Sequence, residues 1–123
     1  MSFWPFNKSK ADYRDLLKRL HNLLKPATYV EIGIRYGKSF NLARATPHAI
    51  GVDPNPLLNC PLWPGAKVFS MTSDAFFASH DLSKELGGKP VELAFIDGLH
   101  LFEFALRDFI NLEKYVRPFH HLR

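Results

Sequence analysis

The sequence predicts an α/β fold, a mainly parallel sheet with helices on both faces, and three observations carry that expectation. Short apolar runs rich in β-branched and aromatic residues alternate with stretches of helical periodicity. One run, Val91 to Ile96, is apolar almost throughout rather than at every second residue, as strands covered on both faces are. Glycine, proline and aspartate follow the runs, where a strand must turn into its crossover. A length of 123 residues allows one domain, 1–123.

Taken in order, residues 10 to 24 place Leu16, Leu17, Leu20, Leu23 and Leu24 at helical spacing, with Asp12 and Asp15 near the end whose dipole favours anions. Lys25-Pro26 stops this helix, because a residue before proline avoids the α region. Residues 28 to 34, TYVEIGI, read as the first strand. Gly33 and Gly37 flank the turn after it, and Ser39 to Arg44 reads as a short helix closed by Thr46-Pro47. His48 to Val52 reads as a buried second strand and Asp53-Pro54-Asn55-Pro56 as a turn. Pro56, Pro61, Pro64 and Gly65 make residues 57 to 66 a loop, and Lys67 to Met71 is a third strand. Ser73 to Leu86 reads as one helix, with Ser73 or Asp74 as N-cap and Gly87-Gly88 as its end. Val91 to Ile96 is the fourth strand, and a helical pattern returns from His100 to Val116. The order is α-β-α-β-β-α-β-α, with right-handed crossovers.

Composition narrows the function. The net charge of +4 is spread over dispersed lysines and arginines with acids between them, so a solvated surface is expected rather than a nucleic-acid interface. The lone Cys60 forms no intrachain disulfide and has no catalytic-type neighbour, so it reads as an unreactive loop thiol. The polar start MSFWPFNKSK does not read as a signal peptide, and no apolar stretch approaches the ~20 residues of a membrane helix, so the expected location is the cytoplasm.

Ligands of such sheets bind at the carboxyl ends of the strands. There the sequence offers four groups. Gly33 lets the backbone turn sharply and a ligand approach, and Gly37, followed by Ser39, lets the next helix pack close with its N–H groups toward that ligand; an ordinary strand-turn-helix has the same spacing. Asp53, twenty residues after Gly33, is placed to accept from a ribose diol, or to serve as a turn aspartate before proline. Ser73-Asp74 can cap the helix, face an adenine amine, or divide those tasks. Asp97 and His100 in Phe95-Ile96-Asp97-Gly98-Leu99-His100 are acid–base or metal-ligand types delivered to the ligand edge.

Together, Val30-Glu31-Ile32-Gly33-Ile34-Arg35-Tyr36-Gly37-Lys38-Ser39, Gly51-Val52-Asp53-Pro54 and Ala94-Phe95-Ile96-Asp97-Gly98-Leu99-His100, followed by Phe102 and Arg107-Asp108, resemble the class I S-adenosylmethionine-dependent methyltransferases. The likeness covers residues 27 to 118 and is to the bacterial small-molecule O-methyltransferase group whose fourth strand ends in Ile-Asp-Gly-x-His. It implies a Rossmann-like parallel sheet flanked by helices and methyl transfer to a small-molecule acceptor, a hydroxyl. It implies a cofactor site of Glu31, Gly33, Gly37, Ser39, Asp53 and Asp74: Glu31 and Gly33 at the methionine end, Asp53 on the ribose, Asp74 near adenine. Asp97 would face the methyl-transfer site with His100 as a second catalytic candidate. In some relatives the carboxylate matching Asp97 binds a divalent metal such as Mg. Arg35 stands where the general Gly-x-Gly-x-Gly pattern has its middle glycine, and a bulky side chain there would crowd the pyrophosphate of NAD.

The resemblance also sets an expectation about extent. Relatives have seven strands and this sequence shows four, ending Phe119-His120-His121-Leu122-Arg123 without a fifth. A C-terminally truncated chain is expected, with an exposed fourth strand covered by a partner chain or a second copy, or a non-catalytic fragment that binds the cofactor weakly or not at all.

Overall fold

The computed structural model describes residues 10–97 and 102–116. Four strands, β1 (Thr28–Ile32), β2 (His48–Asp53), β3 (Ala66–Ser70) and β4 (Leu93–Ile96), form one parallel sheet in the order β3-β2-β1-β4. The helices are α1 (Lys10–Leu24), α2 (Ser73–Ser79), α3 (Leu82–Glu85) and α4 (Phe102–Glu113). This is the Rossmann-like α/β arrangement the sequence predicts.

Alternation along the strands builds the two covered faces. Val30, Ile32, Ile50, Val52 and Ile96 pack with Phe76 of α2, Leu82 of α3 and Leu112 of α4. Tyr29, Ala49, Leu93 and Phe95 pack with Leu17 of α1 and with Phe40 and Trp63. All five residues of β1 are buried, as a central strand covered on both faces requires. Among the described residues β4 pairs on one side only, with β1.

The end of α1 uses a left-handed residue: Lys25 has φ +43 and donates its N–H to the His21 carbonyl at 2.9 Å, closing the helix one residue before Pro26. Elsewhere three elements differ from the sequence reading, each because a side chain has another partner. The segment after Gly37 is a single 3₁₀ turn, Phe40–Ala43, and Ser39 does not cap it, since its hydroxyl bonds Glu31. The helix expected over 73–86 is broken at His80–Asp81, where the Asp81 side chain accepts from the Ser83 N–H at 3.0 Å and starts α3. The N-cap of α2 is Thr72, whose hydroxyl accepts from the Ala75 N–H at 3.1 Å, rather than Ser73 or Asp74, whose side chains engage α4.

The approach of β4 to β1 is set by Thr28. Its buried hydroxyl donates to the Pro90 carbonyl at 2.6 Å and accepts from the Glu92 N–H at 2.9 Å, while the Glu92 side chain accepts from the Ala27 N–H at 2.8 Å. Pro90 and Glu92 are thereby held by a side chain, and the Val91 N–H donates to the Tyr115 carbonyl at 3.0 Å, so β4 begins at Leu93 rather than Val91. Replacing Thr28 by the near-isosteric valine strands a carbonyl and an N–H, and Thr28→Val is expected to cost about 1–3 kcal/mol, read as a lower urea midpoint at unchanged slope. An unchanged midpoint would show that this clamp carries no stability.

Candidate functional site

Because all four strands are parallel, their carboxyl ends lie along one edge of the sheet. The chain moves outward from β1 through β2 to β3 and then returns to the other side of β1, so the strand order reverses between β1 and β4. That is where a crevice opens in open α/β sheets. The ladder runs one residue past the strands here: Gly33 donates to the Val52 carbonyl at 2.8 Å and Asp97 to the Ile32 carbonyl at 2.9 Å. Gly33 has φ +88, and a Cβ built on it would lie 3.1 Å from the Asp97 Cβ. Only glycine combines this backbone with so close an approach to the neighbouring strand end.

A cavity of about 650 Å³ lies over this edge. Ile32, Val52 and Leu57 give it apolar surface, and Asp53, Asp74, Asp97 and Asp108 bring it four carboxyl groups. Arg35 is the one cation among its described lining residues. Asp53 is buried and held from both sides: one oxygen accepts from the Arg35 N–H at 2.8 Å and the other from the Asn55 N–H at 2.8 Å. Arg35 itself has φ +50, so the turn that carries it is locked onto Asp53 by backbone rather than by charge. Past β3, Ser73 donates to the Asp108 carboxylate at 2.6 Å, and Arg107 pairs with Asp74 at 2.5 Å on the solvent side.

Of the residues singled out in the sequence, the structure brings Gly33, Asp53, Asp74 and Asp97 into one cavity. Glu31, Gly37 and Ser39 do not line it. Glu31 is fully buried on the opposite face of β1 from Ile32, accepting from the Tyr29 hydroxyl at 2.6 Å and from the Ser39 hydroxyl. Gly37, with φ +85, packs against Leu58. These three shape the turn from beneath. His100 lies outside the described residues, as do Gly98 and the histidines at 120 and 121. Sequence reasoning gave no role to Asp108, although a signal existed: it stands four residues before Leu112 on the buried stripe of α4, where an acid is out of place unless it has a partner. Among the described residues no group of three or more His, Cys, Asp or Glu could hold a metal ion. No helix among the described residues is long and apolar enough to cross a membrane.

One solved structure that matches is the O-methyltransferase TomG from Streptomyces achromogenes, involved in tomaymycin synthesis and crystallised in complex with S-adenosylmethionine. The TM-score is 0.69 at 20% sequence identity. The chain shares its fold with this methyltransferase. The match covers 90% of this chain and 53% of TomG, so the chain spans about half the length of that enzyme. No family model and no curated protein matches the sequence.

Beneath the site, burial pushes the Glu31 pKa up to about 8, against the hydrogen bonds from Ser39 and Tyr29 that lower it, with Asp97 and Asp53 adding to the rise. A carboxyl whose folded pKa is raised from 4.5 contributes stability that is complete below 4.5 and lost as pH rises through about 8. His21 runs the other way: burial lowers it from 6.5 to about 4, so its contribution is present above 6.5 and lost as pH falls through about 4. The two slopes oppose each other between 4.5 and 6.5, and Glu31 alone remains from 6.5 to 8. Over that upper window stability is expected to fall by at most about 1.4 kcal/mol per pH unit. Glu31→Gln should flatten the fall, checked by urea midpoints at pH 6.5 and pH 8; an equal fall in both proteins would remove Glu31 as its source.

Proposed function

We propose that the cavity binds S-adenosylmethionine and that the chain carries the cofactor-binding part of a methyltransferase acting on a hydroxyl of a small molecule. One observation carries this reading: Gly33, Asp53 and Asp97, from the ends of three neighbouring strands, meet in a single cavity at the point where strand order reverses. The fold shared with a methyltransferase crystallised with S-adenosylmethionine supports it.

In this reading Gly33 gives the methionine end backbone access beside Asp97. Asp53 takes the ribose hydroxyls, its carboxylate already oriented by two amides so that little ordering remains to be done on binding. Glu31, Gly37 and Ser39 act as positioning residues that hold the turn. The four carboxyl groups favour a cationic ligand and disfavour a pyrophosphate, which separates this site from a dinucleotide site. When bound, the cofactor supplies a methyl group on a sulfonium, already a good leaving group. The protein's task is then to hold the acceptor oxygen in line with that methyl and to receive its proton. Asp97, at the strand end beside Gly33, is the assigned acceptor of that proton, with His100, three residues on, as the second candidate.

A second reading is cofactor binding without turnover, for which the cavity at the strand ends suffices by itself. Calorimetric titration of the folded chain with S-adenosylmethionine and S-adenosylhomocysteine should show binding of both, and Asp53→Asn should weaken it about tenfold or more through the lost charge-assisted bond to the ribose. No heat from a demonstrably folded sample would end the proposal. Methyl transfer assayed on a panel of catechols and sugars separates the two readings, since binding without product supports the second.

A further inference from the structure

We infer that Glu31, which does not touch the cavity, gives up a proton when a sulfonium enters it, and that this exchange lets the site tell the cationic cofactor from its neutral demethylated product. The inference rests on the cofactor reading above and concerns a residue that reading uses only to hold the turn. The register sets Glu31 beside Gly51 of β2 and Phe95 of β4. Asp53 and Asp97 therefore stand two residues further along the flanking strands, on either side of Gly33 in the strand order. Two residues of strand rise ~6.6 Å, so Glu31 lies one short step beneath the three residues that line the cavity there.

Among the described residues no cation pairs with Glu31. It is fully buried, and its two hydrogen-bond partners are the hydroxyls of Tyr29 and Ser39. The other titratable groups around it are Tyr13 of α1, with the Arg14 guanidinium over its ring, His21 of α1 against Tyr29, and the carboxyls of Asp53 and Asp97. A buried carboxyl with acidic neighbours and no cation keeps its proton. Burial first, then Asp97 and Asp53, accordingly holds the Glu31 pKa at about 8 against the hydrogen bonds from Ser39 and Tyr29. A sulfonium above Gly33 supplies the missing positive charge. It favours the ionised carboxyl, so the O–H bond breaks and the proton passes to solvent. The ionised carboxyl favours the sulfonium by the same factor, whereas a thioether, uncharged at sulfur, gains nothing from it. Loss of the methyl group then returns the proton from solvent to Glu31.

Calorimetric titration of the full chain at pH 7.5, in two buffers of different ionisation enthalpy, counts the protons released on binding. If the cation makes Glu31 tenfold more acidic, S-adenosylmethionine should release about half a proton more than S-adenosylhomocysteine. Glu31→Gln should remove that excess. Any proton exchanged by the ligands' own amino groups remains, because the variant leaves the ligands and the cavity lining as they are. Ser39→Ala, which takes away a hydrogen bond favouring the ionised carboxyl, should move the release to higher pH and keeps the test open should Glu31→Gln fail to fold. A residue that only braced the turn would change affinity without changing the proton count. An excess that is absent from the wild type, that persists in Glu31→Gln, or that keeps its pH dependence in Ser39→Ala overturns the inference while the cofactor reading stands. Failure of the wild type to bind either ligand overturns both together.

Discussion

The two hydrogen bonds that continue the ladder beyond β1, from Gly33 to Val52 and from Asp97 to Ile32, fix where the ends of three strands stand relative to one another. They follow from a register in which Ile32 faces Val52 on one side and Ile96 on the other. The next residue of each strand is therefore Gly33, Asp53 or Asp97, and the three share a row. A slip of one residue along β1 would turn Val30 and Ile32 out of one core and Tyr29 out of the other. The apolar pattern that buries the sheet thus also sets the geometry of the site.

Charge is handled differently above and below that row. Asp53, in the cavity wall, accepts from two backbone amides, which fix the orientation of its side chain. Glu31, beneath the turn, is met only by hydroxyls in the hydrogen bonds it makes with side chains, and burial pushes its pKa to about 8. One carboxyl side chain thus lines the cavity while the other braces the turn from within. The brace has a structural consequence. By engaging Ser39, Glu31 ties β1 to the start of the 3₁₀ turn, so the chain between Gly33 and Gly37 is held at both its base and its crown.

Much of this was legible in the sequence. The four strands, α1 and the placement of Gly33, Asp53 and Asp97 at strand ends follow from apolar runs bounded by glycine, proline and aspartate. What escaped were choices between partners for one polar side chain. Ser39, read as the first residue of a short helix, bonds a buried glutamate instead, because Glu31, eight residues earlier in sequence, lies within hydrogen-bonding reach of it in space. Ser73 resembles a cap and bonds Asp108, thirty-five residues on. The break between α2 and α3 was hidden for a related reason. Asp81 reads as a tolerable helix residue until its side chain is seen to cap the next helix. Local propensity ranks such partners as near-equal, and the tertiary neighbour decides.

Those long-range partners also bear on the class of ligand. The turn after β1 holds Arg35 at φ +50 with its N–H committed to Asp53 and its carbonyl accepting from Leu57 at 2.9 Å. A dinucleotide site needs the N–H groups of such a turn for phosphate oxygens and needs little negative charge around them. Here the turn's amide is spent on a carboxylate, and Asp74, Asp97 and Asp108 line the same cavity. An anionic pyrophosphate would meet carboxyl groups in the cavity lining and an amide already engaged. In the proposed reading a sulfonium would be attracted by the same groups without requiring that amide, and a ribose diol would find in Asp53 an acceptor whose orientation the turn has already fixed.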